Sequence, residues 1–596
     1  MTQKVLAGRA DNPDLKDDVV RVKVDQVILA REPNRVLAEA LEYGLKKCSI
    51  EAAVAYDTRC VTTDGEEPSL SAPERVSRAV LQNNILIARP GIGFPAAVHL
   101  ERFGSPARLA LTDEPRLASV GGVGMLTLVA APSQLAEALT HGTIWLRPPR
   151  SVQVLLSGRI RPFVCVRDVA LELIRRGLGD IIRKIDTEQH APVVIEFAGP
   201  SARLLSVPDR AVLCALAPQL GASAALFVSD EKTEVYLRDQ RRSKAHRSLL
   251  PDPGAPCDDV ISVDLSAVDP LVMDESGEVR QVREVAGKPV FQVVLGGDSG
   301  ASLRDLLAAA ALLKSKRVPP RLDFLLAPPS RQALEVLANS GALVDLIATG
   351  ARLIEPDHRL VTGELYPPPK AGGVSLRTFD PEPGAPSDRR FIVASAETIA
   401  YAVASGQLGD PRSFKRPVRV TVPRTLPTDD VLILRKGKGK AKDGLEGAKA
   451  LPAKQPKSAG WSSSETLAVV DSMLPPEAPS VMVLHSLDAV RFAARHAASL
   501  GDNLRAVVAE HIPSGMVPLF AGLGVLALTT EKANLSKIAA ERNLTLPAAD
   551  QWQGQSPTKM AAGKIEVSLR WEALDAERKW TVAGTARMAP ALKPKA

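Results

Sequence analysis

Residues 290–316, VFQVVLGGDSGASLRDLLAAAALLKSK, place a short apolar run, Val290 to Leu295, before a glycine-rich turn and then an apolar pattern of helical period. A strand followed by such a helix reads as a crossover unit, because a parallel neighbour is reached only over a connection of this length. The same rhythm extends outward from this segment. Val19 to Leu29, Pro192 to Phe197, Leu322 to Leu326 and Arg390 to Ala394 read as strands. RVLAEALEYGLKK (35–47), DRAVLCALAPQLG (209–221), SRQALEVLANSG (330–341) and ETIAYAVASG (397–406) read as the helices that follow them. This alternation implies an α/β chain with largely parallel sheets.

Beyond this region, Arg435 to Gly460 holds eight basic and two acidic residues, +6 of a net charge of +7, and has no apolar face to bury. It reads as a solvated linker, and the rest of the chain is close to neutral. After it, MVLHS, LDAVRFAARHAASLG, LRAVVAE and GVLALTT again alternate strand and helix, and IEVSLRW and KWTVAGTARM read as strands around a hairpin. The expected division is a body at 1–415, built of three α/β subdomains, and a C-terminal domain at 416–596 that carries the basic insertion at 435–460.

At 596 residues and 45% hydrophobic, the chain has apolar material for several cores,. Its apolar stretches reach about a dozen residues, short of the ~18–20 that span a bilayer. The N-terminus lacks the apolar h-region of a secretory signal. No membrane association and a cytoplasmic location are therefore expected. The five cysteines, Cys48, Cys60, Cys165, Cys214 and Cys257, are widely spaced and form no CxxC pair. They read as ordinary thiols in a reducing compartment.

Gly296-Gly297-Asp298-Ser299-Gly300 is the most chemical of the local strings. It reads as a structural turn with Asp298 or Ser299 as N-cap, or as an anion-binding loop at a helix N-terminus. A nucleophile elbow is the third reading, but Ala301 stands where that pattern needs glycine. A trypsin-like serine is inconsistent with an α/β context. Gly121-Gly122-Val123-Gly124 lacks the spacing of a dinucleotide fingerprint and reads as a close-packing turn. His358, beside Asp357 and Glu355, is a candidate for metal or acid–base chemistry or a plain surface residue.

Taken in order, a series of strings resembles the aconitase superfamily, which includes the isopropylmalate and homoaconitate dehydratases. Pro90 to Glu101 (PGIGFPAAVHLE) is similar to that family's PGxGxxHQxxLE. Leu111-Thr112-Asp113 with Gly121 to Met125 is similar to its TDSHT and GGxG stretch. His141 to Trp145 with Pro148, Leu156-Ser157-Gly158, Arg167-Asp168, Val194 to Pro200, Leu220 to Ser223, Leu250 to Gly254, Ile261 to Ser266 and Thr428-Asp429-Asp430 continue the series. The resemblance implies an aconitase-like, three-layer α/β body with parallel and mixed sheets, plus a C-terminal swivelling β/α domain.

It also implies hydro-lyase chemistry on hydroxy polycarboxylates with a four-iron four-sulfur cluster held by three cysteines, whose open iron is the Lewis acid. In this chain Asp298, His358 and Val361 occupy the three cysteine positions. Other functional positions differ as well. The family's DH pair is Asp57-Thr58, TDSHT is Thr112 to Arg116, the HQ pair is Ala96-Ala97, and the acid of AEIGA is Gln219. Arg377 matches one clamp arginine while Glu382 stands near the other. The serine base falls near Asp488 to Val490 and a further arginine near Ser514. The expectation is a catalytically inactive relative without the cluster and without a bound metal at these positions. Its role would be in binding, regulation or scaffolding, with a di- or tricarboxylate or a protein partner as the ligand. Asp57, Asp113, Gln219, Ser299 and Arg377 are the expected residual site. A cluster-independent hydro-lyase and an RNA-binding protein are the alternatives.

Overall fold

The computed structural model describes all residues except 62–75, 77, 371–372, 429–430, 437–460, 462, 498, 553–555, 564 and 585–596. Most of the basic insertion, and Asp429 and Asp430, therefore lie outside the described residues. The fold is α/β throughout, with helices packed on parallel and mixed sheets.

The first body sheet has the order Ile433–Leu434, Leu86–Ala88, Ala52–Tyr56, Gln26–Leu29, Leu109–Thr112, Leu126–Val129. It is parallel except for the edge strand Ile433–Leu434. The chain thus pairs with the body once more beyond residue 415. The second sheet is fully parallel: Ala224–Phe227, Val193–Ala198, Arg150–Ser157, Asp259–Asp264. The third runs Val279–Gln281, Leu271–Met273, Ile392–Ala394, Val374–Arg377, Val290–Gly296, Asp323–Ala327, Arg352–Leu353. Its strands are parallel from Ile392–Ala394 onward. Gln26–Leu29, Val193–Ala198 and Ala224–Phe227 are buried along their whole length, as strands covered on both faces are,.

Residues 465–571 form a closed seven-stranded barrel with its own core, which includes Trp461, Val507, Leu528 and Trp571. Four of its strands are parallel and three return antiparallel. Of the strand expected in KWTVAGTARM (579–588), residues 579–583 belong instead to the helix Asp575–Ala583, and residues 585–588 lie outside the described residues. Glu577 accepts the Leu574 N–H at 2.9 Å and Gly584 ends the helix in the left-handed region. Trp580 is buried with Ala521, and Trp145 of the body packs against them. Local β propensity lost to capping and tertiary burial.

Val19 to Leu29 divides into Val20–Lys23, which pairs with Thr143–Leu146, and Gln26–Leu29 in the first sheet. Gly121 and Gly122 are close-packing glycines: a Cβ on either would overlap the backbone of Ala225 or Ala211. Among the described residues no helix is long and apolar enough to cross a membrane.

Candidate functional site

Two of the body sheets reverse their winding direction at their centres. In the first, the chain leaves Gln26–Leu29 toward Ala52–Tyr56 on one side and returns with Leu109–Thr112 on the other. In the third it leaves Val290–Gly296 toward Asp323–Ala327 and returns with Val374–Arg377. Connections diverge at such a point and leave a crevice outside the carboxyl ends of the strands, the usual ligand position in open α/β sheets. Here the two crevices face each other. Arg31 follows one strand and Glu114 and Arg116 follow its neighbour. Ser299, Asp380 and Glu382 follow the corresponding strands of the third sheet. Arg31 Nη2 meets Glu382 at 3.0 Å, and Arg116 Nη2 donates to the Asp380 carbonyl at 2.8 Å.

The barrel closes the crevice with the helix Leu487–His496, started by Ser486, whose Oγ accepts the Ala489 N–H at 3.1 Å. Arg495 on this helix reaches Glu114 at 2.8 Å and Glu382 at 2.6 Å. Arg31 also pairs with Glu114 at 2.5 Å. The two carboxylates and two guanidinia form a nearly solvent-free lattice across the junction. Burial pushes Glu382 upward against the pull of Arg31 and Arg116. Glu382 Oε2 and the Nε atoms of Arg116, Arg167 and Arg495 are buried without a hydrogen-bond partner. Next to the lattice, Asp488 Oδ2 accepts the Gly384 N–H at 2.8 Å.

A cavity of about 160 Å³ opens beside this lattice. Its lining carries Arg31, Arg116, Ser299, Arg491 and Arg495 together with the acids Glu32, Asp113 and Asp380. The remainder is largely apolar, with Leu111, Leu128, Ile144, Met516 and Leu519 among its walls. Arg491 has one ion pair among the described residues, Asp488 at 3.5 Å. Burial pushes its pKa down, with the attraction of Asp488 only partly opposing.

Of the sequence-derived candidates, Asp113, Gln219 and Ser299 line this cavity. Asp113 is occupied structurally, accepting the N–H groups of Ala30, Arg31 and Glu32 at 2.7–3.0 Å. Burial still raises it to about 6. Ser299 sits at φ 60, unusual for a residue with a Cβ, and its Oγ donates to Asp298 Oδ1 at 2.9 Å,. The helix N-cap is neither of these residues but Ser302, in a capping box with Asp305, because the extra glycine turn delays the helix by one step.

Asp57, half-buried at the end of Ala52–Tyr56, stays outside the cavity wall. Arg377 does not hold an anion there. It is fully buried, its donors are taken by the Leu360 and Tyr366 carbonyls and Gln292, and its guanidinium lies 4.3 Å from the Phe391 ring centre. Without a carboxylate beside it, burial lowers it to about 9. Arg31, Glu114, Arg116, Glu382, Arg491 and Arg495 are the residues that sequence reasoning left out of the candidate site. The altered positions at 114, 116 and 382 were the available signal, but their mutual pairing was not visible.

The model of the Aconitase family (aconitate hydratase) matches residues 117–283. The chain is 28% identical over 422 residues to 3-isopropylmalate dehydratase large subunit 2 of Archaeoglobus fulgidus, covering 70% of this chain and 99% of that one. It is 28% identical over 429 residues to the homoaconitase large subunit of Thermus thermophilus, covering 70% and 98%. This chain is aconitase-like. Among solved structures, aconitase X of Thermococcus kodakaraensis in its holo form aligns with a TM-score of 0.38 at 10% identity, over 68% of this chain and 92% of that one.

The donor set of this aconitase-like chain does not fit an iron–sulfur cluster, which needs soft thiolates. Asp298 is buried and burial raises it to about 6, with Arg116 opposing. His358 is the N-cap of a short helix, its Nδ1 has no partner, and burial together with Arg31 lowers it to about 3. Val361 packs in an apolar cluster with Phe94, Phe379 and Phe391. Asp357, adjacent to His358, is held by the N–H groups of Cys60 and Val61 and by Arg359. One thiol lies beside this loop: Cys60 donates to the Pro356 carbonyl at 3.2 Å and accepts the Gly91 N–H at 3.1 Å. Burial pushes that thiol up to about 12, so it is protonated.

Proposed function

We propose that this chain is a cluster-free aconitase-like protein that binds a small carboxylate carrying an apolar body, in the cleft between the body and the C-terminal barrel, and does not carry out the iron-dependent dehydration. The barrel, within the expected 416–596 domain, takes the place of the family's swivelling lid. Arg491 is the observation that carries the reading. It is a cation at the cavity wall, withdrawn from water, whose partner Asp488 already spends an oxygen on Gly384. An anion brought to it completes the pair in surroundings where water competes weakly. The apolar walls supply the rest of the affinity through the tail of the acid. Glu114 and Glu382 support the reading from the other side. They neutralise Arg31 and Arg495, so the remaining polar end suits one carboxylate better than the three of a tricarboxylic acid.

Protein prepared without oxygen is expected to be colourless and free of iron and sulfide. Small carboxylic acids with alkyl substituents are expected to raise its thermal midpoint, and Arg491→Gln to remove that shift while leaving the ligand-free midpoint within a few degrees. Brown protein that interconverts citrate with its isomer sinks the proposal, as does a midpoint indifferent to every acid tested.

One observation favours a second reading, a hydro-lyase that works without the cluster. Ser299 holds a strained backbone conformation in the cavity wall, hydrogen-bonded to a carboxyl whose pKa lies near neutrality. Strain of this kind concentrates at functional sites. Hydration of aconitate or interconversion of isopropylmalate isomers by iron-free protein, lost in Ser299→Ala, would establish it. No turnover on these acids removes it.

A further inference from the structure

Away from the cleft, three helices of the body bring their first turns to one point. Cys165 is the N-cap of Val166–Arg175, Asp305 is the third residue of Leu303–Leu313, and Glu397 the second of Ala396–Ser405. The Cys165 sulfur and one carboxylate oxygen from each acid all lie within 4.8 Å of one another. The three residues are 1%, 2% and 7% exposed. Asp305 uses Oδ2 on the Ser302 N–H at 2.9 Å, which leaves Oδ1 without a hydrogen-bond partner, and Glu397 Oε2 has none either. Two buried carboxylates with unsatisfied oxygens beside a thiol are costly for a fold, and a buried unpaired charge is among the costliest features it can carry.

The surroundings do not relieve that cost. Asp168 adds a further acid, saturated by the N–H groups of Cys165 and Leu271. Asp209 also bears on Asp305 electrostatically and has an unpartnered Oδ1 of its own. Arg304 is the cation at hand, but it stands 4.0 Å from Asp305 with a side chain 46% exposed. The positive ends of the three helices favour negative charge here without satisfying a particular oxygen.

We propose that Cys165, Asp305 and Glu397 form a structural divalent-cation site, suited to zinc, that ties together the first turns of three body helices. A thiolate with two carboxylates selects a borderline-soft ion over calcium or magnesium, and a water completes four-coordination. An ion central to three atoms spaced as here is at most about 2.8 Å from each, so contraction by roughly half an ångström reaches zinc distances. Binding displaces to solvent the thiol proton and the proton that burial and the neighbouring acids favour on Glu397, and the ion offsets two of the three ligand charges,.

Full-length protein loaded with zinc chloride and dialysed against buffer is expected to retain one equivalent per chain. Cobalt substitution is expected to give the near-ultraviolet band of a thiolate–metal bond. Cys165→Ala and Glu397→Gln are each expected to weaken retention at least tenfold, whereas Arg491→Gln leaves it unchanged. Zinc-free protein after loading, or retention in both variants equal to that of the unaltered chain, overturns the proposal. Should the variants fail to fold, the unaltered chain decides: a cobalt complex without the thiolate band overturns it equally.

Discussion

His99, two residues beyond the position of the family's HQ pair, lies fully buried between Tyr56 and Gln26, with its ring nitrogens 3.1 Å from the Tyr56 hydroxyl and 2.9 Å from Gln26 Oε1. Burial, reinforced by Arg242, lowers its pKa to about 3, so the folded protein holds it neutral. In the unfolded chain it titrates near 6.5. Its contribution is therefore complete above pH 6.5 and declines as pH falls toward 3, with a limiting slope of about 1.4 kcal/mol per pH unit. Asp113 and Asp298, raised to about 6, act in the opposite sense, since their folded forms retain protons that the unfolded chain has released. Urea unfolding between pH 5 and 7 is expected to show a shallower loss on acidification for His99→Gln than for the unaltered chain. An identical pH slope would show that His99 is charged in the fold. Residue types alone suffice to see that the cluster ligands have changed. They do not separate Arg377, saturated by carbonyls, from Arg491, which faces a cavity.

At the level of elements, the strand, glycine turn and helix of 290–316 are legible because period and punctuation agree. Gly297 has φ 81, and a Cβ there would overlap the Phe379 ring. The helix at Asp575–Ala583 was hidden because its β-favouring residues carry no helical stripe of their own, and Trp580 finds its cover in a segment about sixty residues earlier. The helix Leu487–His496 carries Arg491 and Arg495 and depends on the Ser486 cap. Ser486→Ala is expected to cost about 1 kcal/mol in chemical denaturation. It is also expected to weaken any carboxylate-induced thermal shift, because the arginines lose a fixed platform. Unchanged stability would show that the barrel holds this helix without its cap.

Across the whole molecule, the junction of body and barrel is secured by buried charges. Besides the Arg495 contacts, Arg147 Nε donates to Glu577 Oε1 at 2.7 Å, with side chains 2% and 1% exposed. Ser514, near the position of a family arginine, donates to Asp186 from both its N–H and Oγ at 2.9 Å. Removing one partner of a buried pair leaves the other uncompensated, at a cost of about 3–5 kcal/mol, whereas removing both is much milder. Arg147→Met and Glu577→Leu are each expected to be strongly destabilising, and the double variant to recover most of the loss in a double-mutant cycle. Additive effects would show that the pair is solvated.

The α/β class, most of the alternation of strands and helices, the family resemblance and the absence of cysteine at positions 298, 358 and 361 were all determined by the sequence, because periodicity and ligand chemistry are local properties. The pairing of Glu114 and Glu382 with Arg31 and Arg495, the burial of Arg377, and the meeting of Cys165, Asp305 and Glu397 were decided by the tertiary structure alone. A charge has no fixed role until folding determines whether water, a carbonyl or an opposite charge stands next to it, and these partners lie up to several hundred residues apart in the chain.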